Sequence, residues 1–257
     1  MTVEAGMMGE ERFRTVGVLG SGTGLFTSRY WSGFVIDDDI LLDAPPTTGI
    51  HLRRMGFDAQ RLQYVFISHL HADHAFGLAF VCLEFHFERP KASPLTVIGP
   101  AGLRQYVETL YRLAYPYEGP RPARAYPLSL EFIEVPEQTD LALPGISFRA
   151  VPMDHHATRL NSYGYRLTRG DRTIAYSGDA GTVPPIIELA EGADVLIVEC
   201  TNLKGNAGDH LNVSDIKILR DMLPSSTRIW VTHTQTVTQA LLPDNTVLLE
   251  DFEIKAI

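Results

Sequence analysis

The chain has little cysteine, no long apolar run and no recognisable leader. Only two of its 257 residues are cysteine, Cys82 and Cys200, and both lie in apolar stretches. This placement indicates buried thiols and no disulfide. No window reaches the roughly 18 apolar residues of a membrane span, and Met1–Arg14 lacks the pattern of a signal peptide. We therefore expect a cytoplasmic protein without a membrane partner.

Positive charge is also scarce. The chain has 22 Lys and Arg residues against 31 Asp and Glu residues, which gives a formal net charge of −9. The basic residues are scattered along the chain, whereas nucleic-acid binding depends on groups of them that neutralise phosphates. The composition thus argues against a dedicated nucleic-acid binder, although one local basic patch would be compatible with it.

Apolar residues are abundant enough for a folded core. They make up 45% of the chain, and its length suits one large α/β domain. No repeat, low-complexity tract or domain boundary is evident, so we expect a single domain over residues 1–257. Residues 1–13 are expected to form a flexible or peripheral N-terminus.

Short β-branched segments alternate with segments of helical spacing, a pattern typical of sheets covered by helices. The predicted strands are Thr15–Leu19, Phe34–Ile36, Ile40–Leu42, Tyr64–Ile67, Leu95–Ile98, Leu130–Val135, Ile146–Val151, Tyr163–Leu167, Thr173–Tyr176, Val195–Glu199 and Arg228–Thr232. The predicted helices are Gly49–Met55, Ala75–Phe87, Ala101–Leu113, Pro185–Glu191 and Val213–Met222. These strands are too many for one small sheet, so we expect two sheets with helices outside.

The densest group of metal-binding residue types follows the apolar strand Tyr64–Ile67. Within six positions the chain has His69, His71, Asp73 and His74. Neutral imidazole and carboxylate are good ligands for zinc and similar ions. A loop this short cannot complete two coordination spheres, so further ligands must come from elsewhere in the chain.

Three later strands also end at such residues. Ile146–Val151 leads to His155 and His156, Thr173–Tyr176 leads to Asp179, and Arg228–Thr232 leads to His233. Adjacent residues leaving a strand point in opposite directions. The spacing therefore predicts that only one of the two neighbouring histidines is a ligand. His155 is favoured, and His156 is the alternative.

The order of these motifs, together with Asp43 after an early apolar strand, resembles the metallo-β-lactamase superfamily over roughly Arg14 to Thr238. The resemblance implies a four-layer αββα sandwich of two mixed β-sheets flanked by helices. It also implies two divalent metal ions, zinc being favoured by nitrogen-rich ligands and Mn²⁺ or Fe²⁺ being alternatives. The implied ligands are His69, His71 and His155 for the first ion, Asp73, His74 and His233 for the second, and Asp179 between them. Asp43 would fix the orientation of a ligand.

The outer motifs are similar to those of the phosphodiesterase branch, which includes ribonuclease Z. The segment Tyr176-Ser-Gly-Asp179 differs from the cysteine-containing site of β-lactamases, and Pro152-Met-Asp-His155-His156 differs from the thioesterase motif. In the phosphodiesterase branch, a glutamate and a histidine act together near the leaving group. Glu199 and His210 stand at those places here.

The resemblance implies hydrolysis of a small or cyclic phosphodiester through a metal-bound hydroxide. Asp73 would orient the attacking group, and His210, kept protonated by Glu199, would act as general acid. The alternatives are a ribonuclease Z-like tRNA 3′-processing endonuclease and a lactone, ester or thioester hydrolase. Nucleic acid is not favoured, because no extended basic arm lies between Gly99 and His155. A homodimer is left open.

Two further segments border the predicted site. Gly20-Ser-Gly-Thr-Gly24 follows the first strand but lacks the spacing of a dinucleotide-binding loop, so we interpret it as a turn at the edge of the metal site. Tyr115–Pro127 contains four prolines and three tyrosines, which predicts an ordered loop of unassigned role.

Overall fold

The apolar segments pair into two sheets of seven strands each. The computed structural model describes residues 12–88, 94–116, 130–155, 161–205 and 209–257, and of 86–88 only the backbone.

In chain order, the strands of the first sheet are β1 (Thr15–Gly20), β2 (Gly33–Ile36), β3 (Ile40–Leu42), β4 (Tyr64–Phe66), β5 (Leu95–Pro100), β6 (Leu130–Val135) and β14 (Ile254–Ala256). They lie in the order β14-β1-β2-β3-β4-β5-β6. Pairing is antiparallel from β14 to β3 and parallel from β3 to β6. The carboxyl ends of β3 and β4 therefore meet at one edge.

The strands of the second sheet are β7 (Thr139–Leu143), β8 (Ile146–Met153), β9 (Ser162–Arg169), β10 (Arg172–Tyr176), β11 (Val195–Glu199), β12 (Arg228–Thr232) and β13 (Thr246–Leu248). Their order is β13-β12-β11-β10-β9-β8-β7. Strands β10 to β13 are parallel, and β9 is antiparallel to both β8 and β10. The carboxyl ends of β8, β10, β11 and β12 thus share one edge.

Alternate residues of each strand point to different hydrophobic layers, as the two-residue period of a strand requires. In β4, Phe66 packs between the sheets while Val65 packs under the helices of the first sheet. In β11, Ile197 faces the space between the sheets and Leu196 faces the helices of the second sheet. The two sheets therefore bury one common core and one outer core each.

The helices cover the outer faces. They are α1 (Thr48–Met55), α2 (Ala72–Ala75), α3 (Leu78–Glu88), α4 (Leu103–Ala114), α5 (Pro184–Ala190) and α6 (Val213–Met222). Two 3₁₀ turns span Ala59–Arg61 and Gln239–Leu241. Helices α1, α3 and α4 pack on the first sheet, and α5 and α6 pack on the second.

The predicted four-layer αββα sandwich is confirmed, with three additional strands. β7, β13 and β14 were not predicted, and each lies at the edge of a sheet. The helix predicted from Ala75 is also wrong at its start, because α2 ends there and α3 begins at Leu78. Asp73 and His74 lie on the short helix α2, which begins directly after His71, and not in a loop.

Cys82 and Cys200 are buried and unpaired. They belong to the outer cores of different sheets, which explains why they do not meet. Among the described residues, no helix has the length and apolar character needed to cross a membrane.

Candidate metal centre

The predicted ligands come together where strands of both sheets end. Asp43 follows β3, His69–His74 follows β4, His155 follows β8, Asp179 follows β10, Glu199 ends β11 and His233 follows β12. His210 joins them from the segment before α6. Because the strands share their carboxyl edge, residues far apart in sequence form one cluster.

Three imidazoles form the first group, which consists of His69, His71 and His155. Nε2 of His69 lies 2.9 Å from Nδ1 of His71, and Nε2 of His155 lies 3.3 Å from the same atom. Three imidazole nitrogens facing one point match the ligand set of a transition metal such as zinc. His155 occupies this place, whereas His156 lies outside the described residues.

The second group consists of Asp73, His74 and His233. Oδ2 of Asp73 lies 3.3 Å from Nε2 of His74 and 3.6 Å from Nε2 of His233. The backbone carbonyl of His71 accepts hydrogen bonds from the backbone N–H groups of His74 and Ala75. This single helical turn carries two ligand-type side chains into the cluster, next to the first group.

Asp179 lies between the two groups. Its Oδ2 atom is 3.8 Å from Nε2 of both His69 and His155. Its Oδ1 atom is 3.4 Å from Nε2 of His233. Gly178 precedes it with a φ of 57°, and a Cβ there would lie 2.5 Å from the Cβ of Ser68. Only glycine fits this close approach, which brings the carboxylate between the two groups.

Hydrogen bonds at Nδ1 of two imidazoles, His74 and His155, decide which nitrogen of each ring faces the cluster. Asp43 accepts from Nδ1 of His74 at 2.8 Å, and the carbonyl oxygen of Asp209 accepts from Nδ1 of His155 at 2.6 Å. An imidazole that donates at Nδ1 keeps its lone pair at Nε2 when neutral. Both Nε2 atoms are therefore available to a cation.

Hydroxyl groups contact Nδ1 of two more imidazoles. Ser68 donates its hydroxyl proton to Asp43, and its oxygen lies 3.0 Å from Nδ1 of His69. The Thr201 hydroxyl lies 2.9 Å from Nδ1 of His233. The hydrogen-bond network thus assigns Nδ1–H to both rings and leaves Nε2 facing the cluster.

Several buried atoms in the cluster lack a hydrogen-bond partner. Among the described residues, these include Nε2 of His74, Nε2 of His233 and Oδ1 of Asp179. A buried polar atom without a partner is costly, because burial removes its bonds to water. Lone pairs of two imidazoles and a carboxylate converging in one place are the donors that a divalent metal requires. These residues therefore fit a metal centre.

Burial and charge give the two groups different electrostatics. Burial lowers the pKa of His69 well below its usual range, and burial also lowers the pKa of His155. Burial opposes the charged form of His74 too, but the carboxylates of Asp179 and Asp43 outweigh it and raise the pKa of that imidazole. The first group is neutral, whereas the second attracts positive charge.

Asp43 is fully buried and supports the second group. Its carboxylate accepts hydrogen bonds from the hydroxyl of Ser68 at 2.8 Å, from His74 at 2.8 Å and from the hydroxyl of Tyr176 at 2.5 Å. Asp43 also has a φ of 55°, a region that few residues other than glycine adopt. A residue in this conformation with three side-chain partners is well suited to hold an imidazole in place.

Glu199 and His210 form a pair beside Asp179. Nδ1 of His210 lies 2.8 Å from Oε1 of Glu199 and 3.9 Å from Oδ2 of Asp179. Burial disfavours the imidazolium, but the hydrogen bond and charge of Glu199 raise the pKa of His210 to about 9. The Thr201 hydroxyl donates to Glu199 at 2.8 Å and lies close to both His210 and His233.

Sequence reasoning missed three side chains of this network, namely Ser68, Tyr176 and Thr201. Ser68 lies two positions after the end of β4. Tyr176 ends β10 directly before the Ser-Gly-Asp segment, and Thr201 follows β11 two positions after Glu199. Their places at strand ends were the available signal. The interpretation of Gly20–Gly24 agrees with the structure, since a Cβ on Gly24 would lie 2.7 Å from Asp73.

Comparison with known proteins identifies one family. The family described as "Beta-lactamase superfamily domain" matches residues 38–233. Ribonuclease BN of Escherichia coli O157:H7 is 32% identical over 171 residues, which are 64% of this chain and 52% of that protein. The chain spans about half the length of the curated relatives it matches.

Solved structures show the same fold. The short form of human tRNase Z aligns with a TM-score of 0.73 and 21% identity, covering 94% of this chain and 98% of that one. A diphosphatase from the PhnP family aligns with a TM-score of 0.74 and 20% identity, covering 95% and 97% respectively. At these identities the likeness concerns the fold.

Proposed function

The chain belongs to the β-lactamase superfamily, and we propose that it is a metal-dependent hydrolase of the ribonuclease Z branch, acting as a dinuclear phosphodiesterase on small or cyclic phosphodiesters. The His and Asp groups support binding of divalent metal. The number of ions, their identity and the bond cleaved belong to the proposal.

The observation that carries the proposal is the Glu199–His210 pair. The hydrogen bond and charge of the buried Glu199 favour the protonated ring of His210 by raising its pKa to about 9, and Nδ1 of this ring lies 3.9 Å from Oδ2 of Asp179. Cleavage of a phosphodiester leaves an alkoxide, which needs a proton. His210 is positioned to supply it as a general acid, with Glu199 stabilising the charged ring.

The proposed ligands fall into the two groups described above, with Asp179 between them. His69, His71 and His155 would hold one ion, Asp73, His74 and His233 the other, and Asp179 both. When bound, two such ions supply a nucleophile at neutral pH and neutralise charge on the phosphate. Nitrogen-rich ligands favour zinc, with manganese or iron as alternatives.

Asp73 has a second role in this proposal. Its side chain is 19% exposed, whereas those of His74 and Asp179 are 1% and 3% exposed. It is therefore the carboxylate of the cluster that an entering water or substrate can reach. We assign it the orientation of the attacking water by hydrogen bonding, in addition to its contacts with His74 and His233.

A small substrate is favoured over RNA by the charge of the chain. The net charge of −9 provides no general attraction for a polyanion. RNA remains the second candidate, because the Escherichia coli relative is named as a ribonuclease and the human structure as a tRNase. A lactone, ester or thioester hydrolase on the same metal centre is the third, and the substrate screen below separates it from the other two.

The test is metal analysis coupled to a substrate screen. Purified protein would be loaded with Zn²⁺, Mn²⁺ or Fe²⁺ and assayed on bis(p-nitrophenyl) phosphate, cyclic nucleotides, a precursor tRNA, a lactone and a thioester. We expect turnover of small phosphodiesters, and loss of that turnover on chelation. Cleavage of the lactone or thioester alone, in every metal form, would show that the proposal is wrong.

A further inference from the structure

Two aromatic residues border the Asp73 side of the metal-ligand cluster. Phe76 directly follows α2 and keeps helical dihedral angles, with φ −67° and ψ −22°. Residues three apart on a helix share a face, so Phe76 and Asp73 lie on the same side of this turn. Phe76 is 45% exposed although its neighbours His74 and Ala75 are buried.

Tyr106 of α4 extends this surface. Its ring centroid lies 6.4 Å from that of Phe76, with 40° between the ring planes. Such a spacing lies within the range of paired aromatic rings. Phe76 is the exposed ring of this pair, and Tyr106 is partly buried beside it.

The Tyr106 hydroxyl is buried and, among the described residues, has no hydrogen-bond partner. Burial raises the pKa of Tyr106 to about 12, and the negative charge of Asp73 contributes in the same direction. The hydroxyl therefore keeps its proton at neutral pH, and the ring contact with Phe76 places Tyr106 beside the turn that carries Asp73. An unused buried donor beside a metal-ligand cluster is a position that a ligand oxygen can fill.

We propose that Phe76 and Tyr106 bind the aromatic ring of the substrate, a nucleobase or an aryl group, while the Tyr106 hydroxyl donates a hydrogen bond to a phosphate oxygen. This inference rests on the proposed phosphodiesterase function and specifies its substrate class. Ring stacking on aromatic side chains gives affinity without depending on the identity of the base. The ring would lie on the side of Asp73, and the group that leaves would lie towards His210.

Binding measurements test the ring site separately from turnover. Calorimetry of the metal-loaded protein would compare phenyl phosphate with methyl phosphate. We expect the phenyl compound to bind about tenfold more tightly. Phe76→Ala should abolish this preference, and Phe76→Leu, which keeps apolar volume without a π-face, should abolish most of it. Metal content and melting temperature would verify that both variants are folded.

Phe80→Ala is the matched control, because Phe80 is also an exposed aromatic residue but lines a separate groove between α1 and α3. It should retain the preference. The ring site is wrong if the wild type shows no preference, if Phe76→Ala retains it, or if Phe80→Ala loses it equally. Tyr106→Phe should weaken both ligands about tenfold without changing their ratio, and unchanged binding of both would exclude the hydroxyl contact.

Kinetics on two substrates distinguish failure of the ring site from failure of the proposed function. Bis(p-nitrophenyl) phosphate and methyl p-nitrophenyl phosphate share a leaving group and differ in the group that is retained. Phe76→Ala should lower kcat/KM for the first and leave the second unchanged. If the wild type turns over both substrates and Phe76→Ala leaves the ratio of their kcat/KM values unaltered, only the ring site is overturned. Ring-selective binding without any phosphodiester turnover would overturn only the phosphodiesterase.

Discussion

The two groups of candidate ligands are held by different chemistry. Uncharged groups contact Nδ1 of two imidazoles in the first group. These are the Ser68 hydroxyl behind His69 and the backbone carbonyl of Asp209 behind His155. A buried carboxylate, Asp43, orients His74 in the second group. The second group also contains Asp73 as one of its proposed ligands.

Because of this difference, the contribution of ring placement to metal affinity can be distinguished from the contribution of charge. The first group has only imidazoles, and burial keeps those of His69 and His155 uncharged, so its affinity for metal should depend on ring placement. The second group contains the carboxylate of Asp73 and has that of Asp43 behind it, and Asp43 together with Asp179 raises the pKa of His74. Its affinity should depend on carboxylates that compensate the cation. Variants that alter one property at a time can test this contrast.

The largest effect is expected from Asp179→Ala, because Asp179 faces both groups. Its removal should weaken metal binding on each side and lower phosphodiesterase turnover by about a thousandfold or more. Metal content by mass spectrometry and kcat together would measure the change. Asp140→Ala, at an exposed ion pair with Arg149, is the control and should change neither. Retention of full metal content in Asp179→Ala would contradict the bridging position.

His210→Ala should have the next largest effect, and only on catalysis. Loss of a general acid costs about 10²–10⁴-fold when the leaving group needs protonation. Turnover of an alkyl-leaving phosphodiester should fall by that factor, whereas turnover with a p-nitrophenolate leaving group should change little. Equal losses on both substrates would assign His210 to binding and remove the acid role.

The fold was predictable where burial gave a strong pattern. Central strands such as β11 were predicted with correct bounds because every position is buried and all but the last, Glu199, are apolar. The three missed strands lie at sheet edges, where one side has no neighbour and burial is incomplete. In β7, for example, Asp140 and Leu141 are both exposed. An exposed edge strand has no periodic apolar signal, since its position is fixed by a pairing that the sequence does not display.

The candidate site was predictable from residues that follow strands, but its supporting contacts were not. Asp43, Asp179 and His233 all stand where apolar segments stop. Tyr176 and Thr201 also stand at strand ends, but they belong to types that are common in and around strands, so this position alone does not separate them from packing residues. Their roles depend on contacts between distant elements, such as the bond from Tyr176 to Asp43.

Asp43→Asn tests the role of charge behind the second group. Asparagine has the same shape and tolerates the positive φ of this position, so the fold should persist. We expect about a 10–100-fold loss of metal affinity, confined to the ion held by Asp73, His74 and His233. Competition titration with a chelator would measure both sites. A comparable loss at the first group would show that the two halves are not independent.

The matched change behind the first group is Ser68→Ala, which removes a neutral hydroxyl. It should lower the affinity for the first ion about tenfold, which is the lower end of the range for residues that support metal ligands. The second ion should be affected less, although Ser68 also donates to Asp43. A larger loss at the second ion would mean that this shared hydroxyl acts mainly through Asp43.

Thr201→Val should have the smallest effect, since valine has the same shape and only the hydroxyl is lost. That hydroxyl contacts Glu199 and His233, so it connects the second group to the proposed acid. We expect a loss of about tenfold in kcat with metal content nearly unchanged, because Nε2 of His233 can still face the cluster. A drop in metal content instead would indicate that the hydroxyl, rather than packing, sets the orientation of His233. The second group would then depend on neutral hydrogen bonds as much as the first does, and the contrast between the two would be reduced to Asp43 alone.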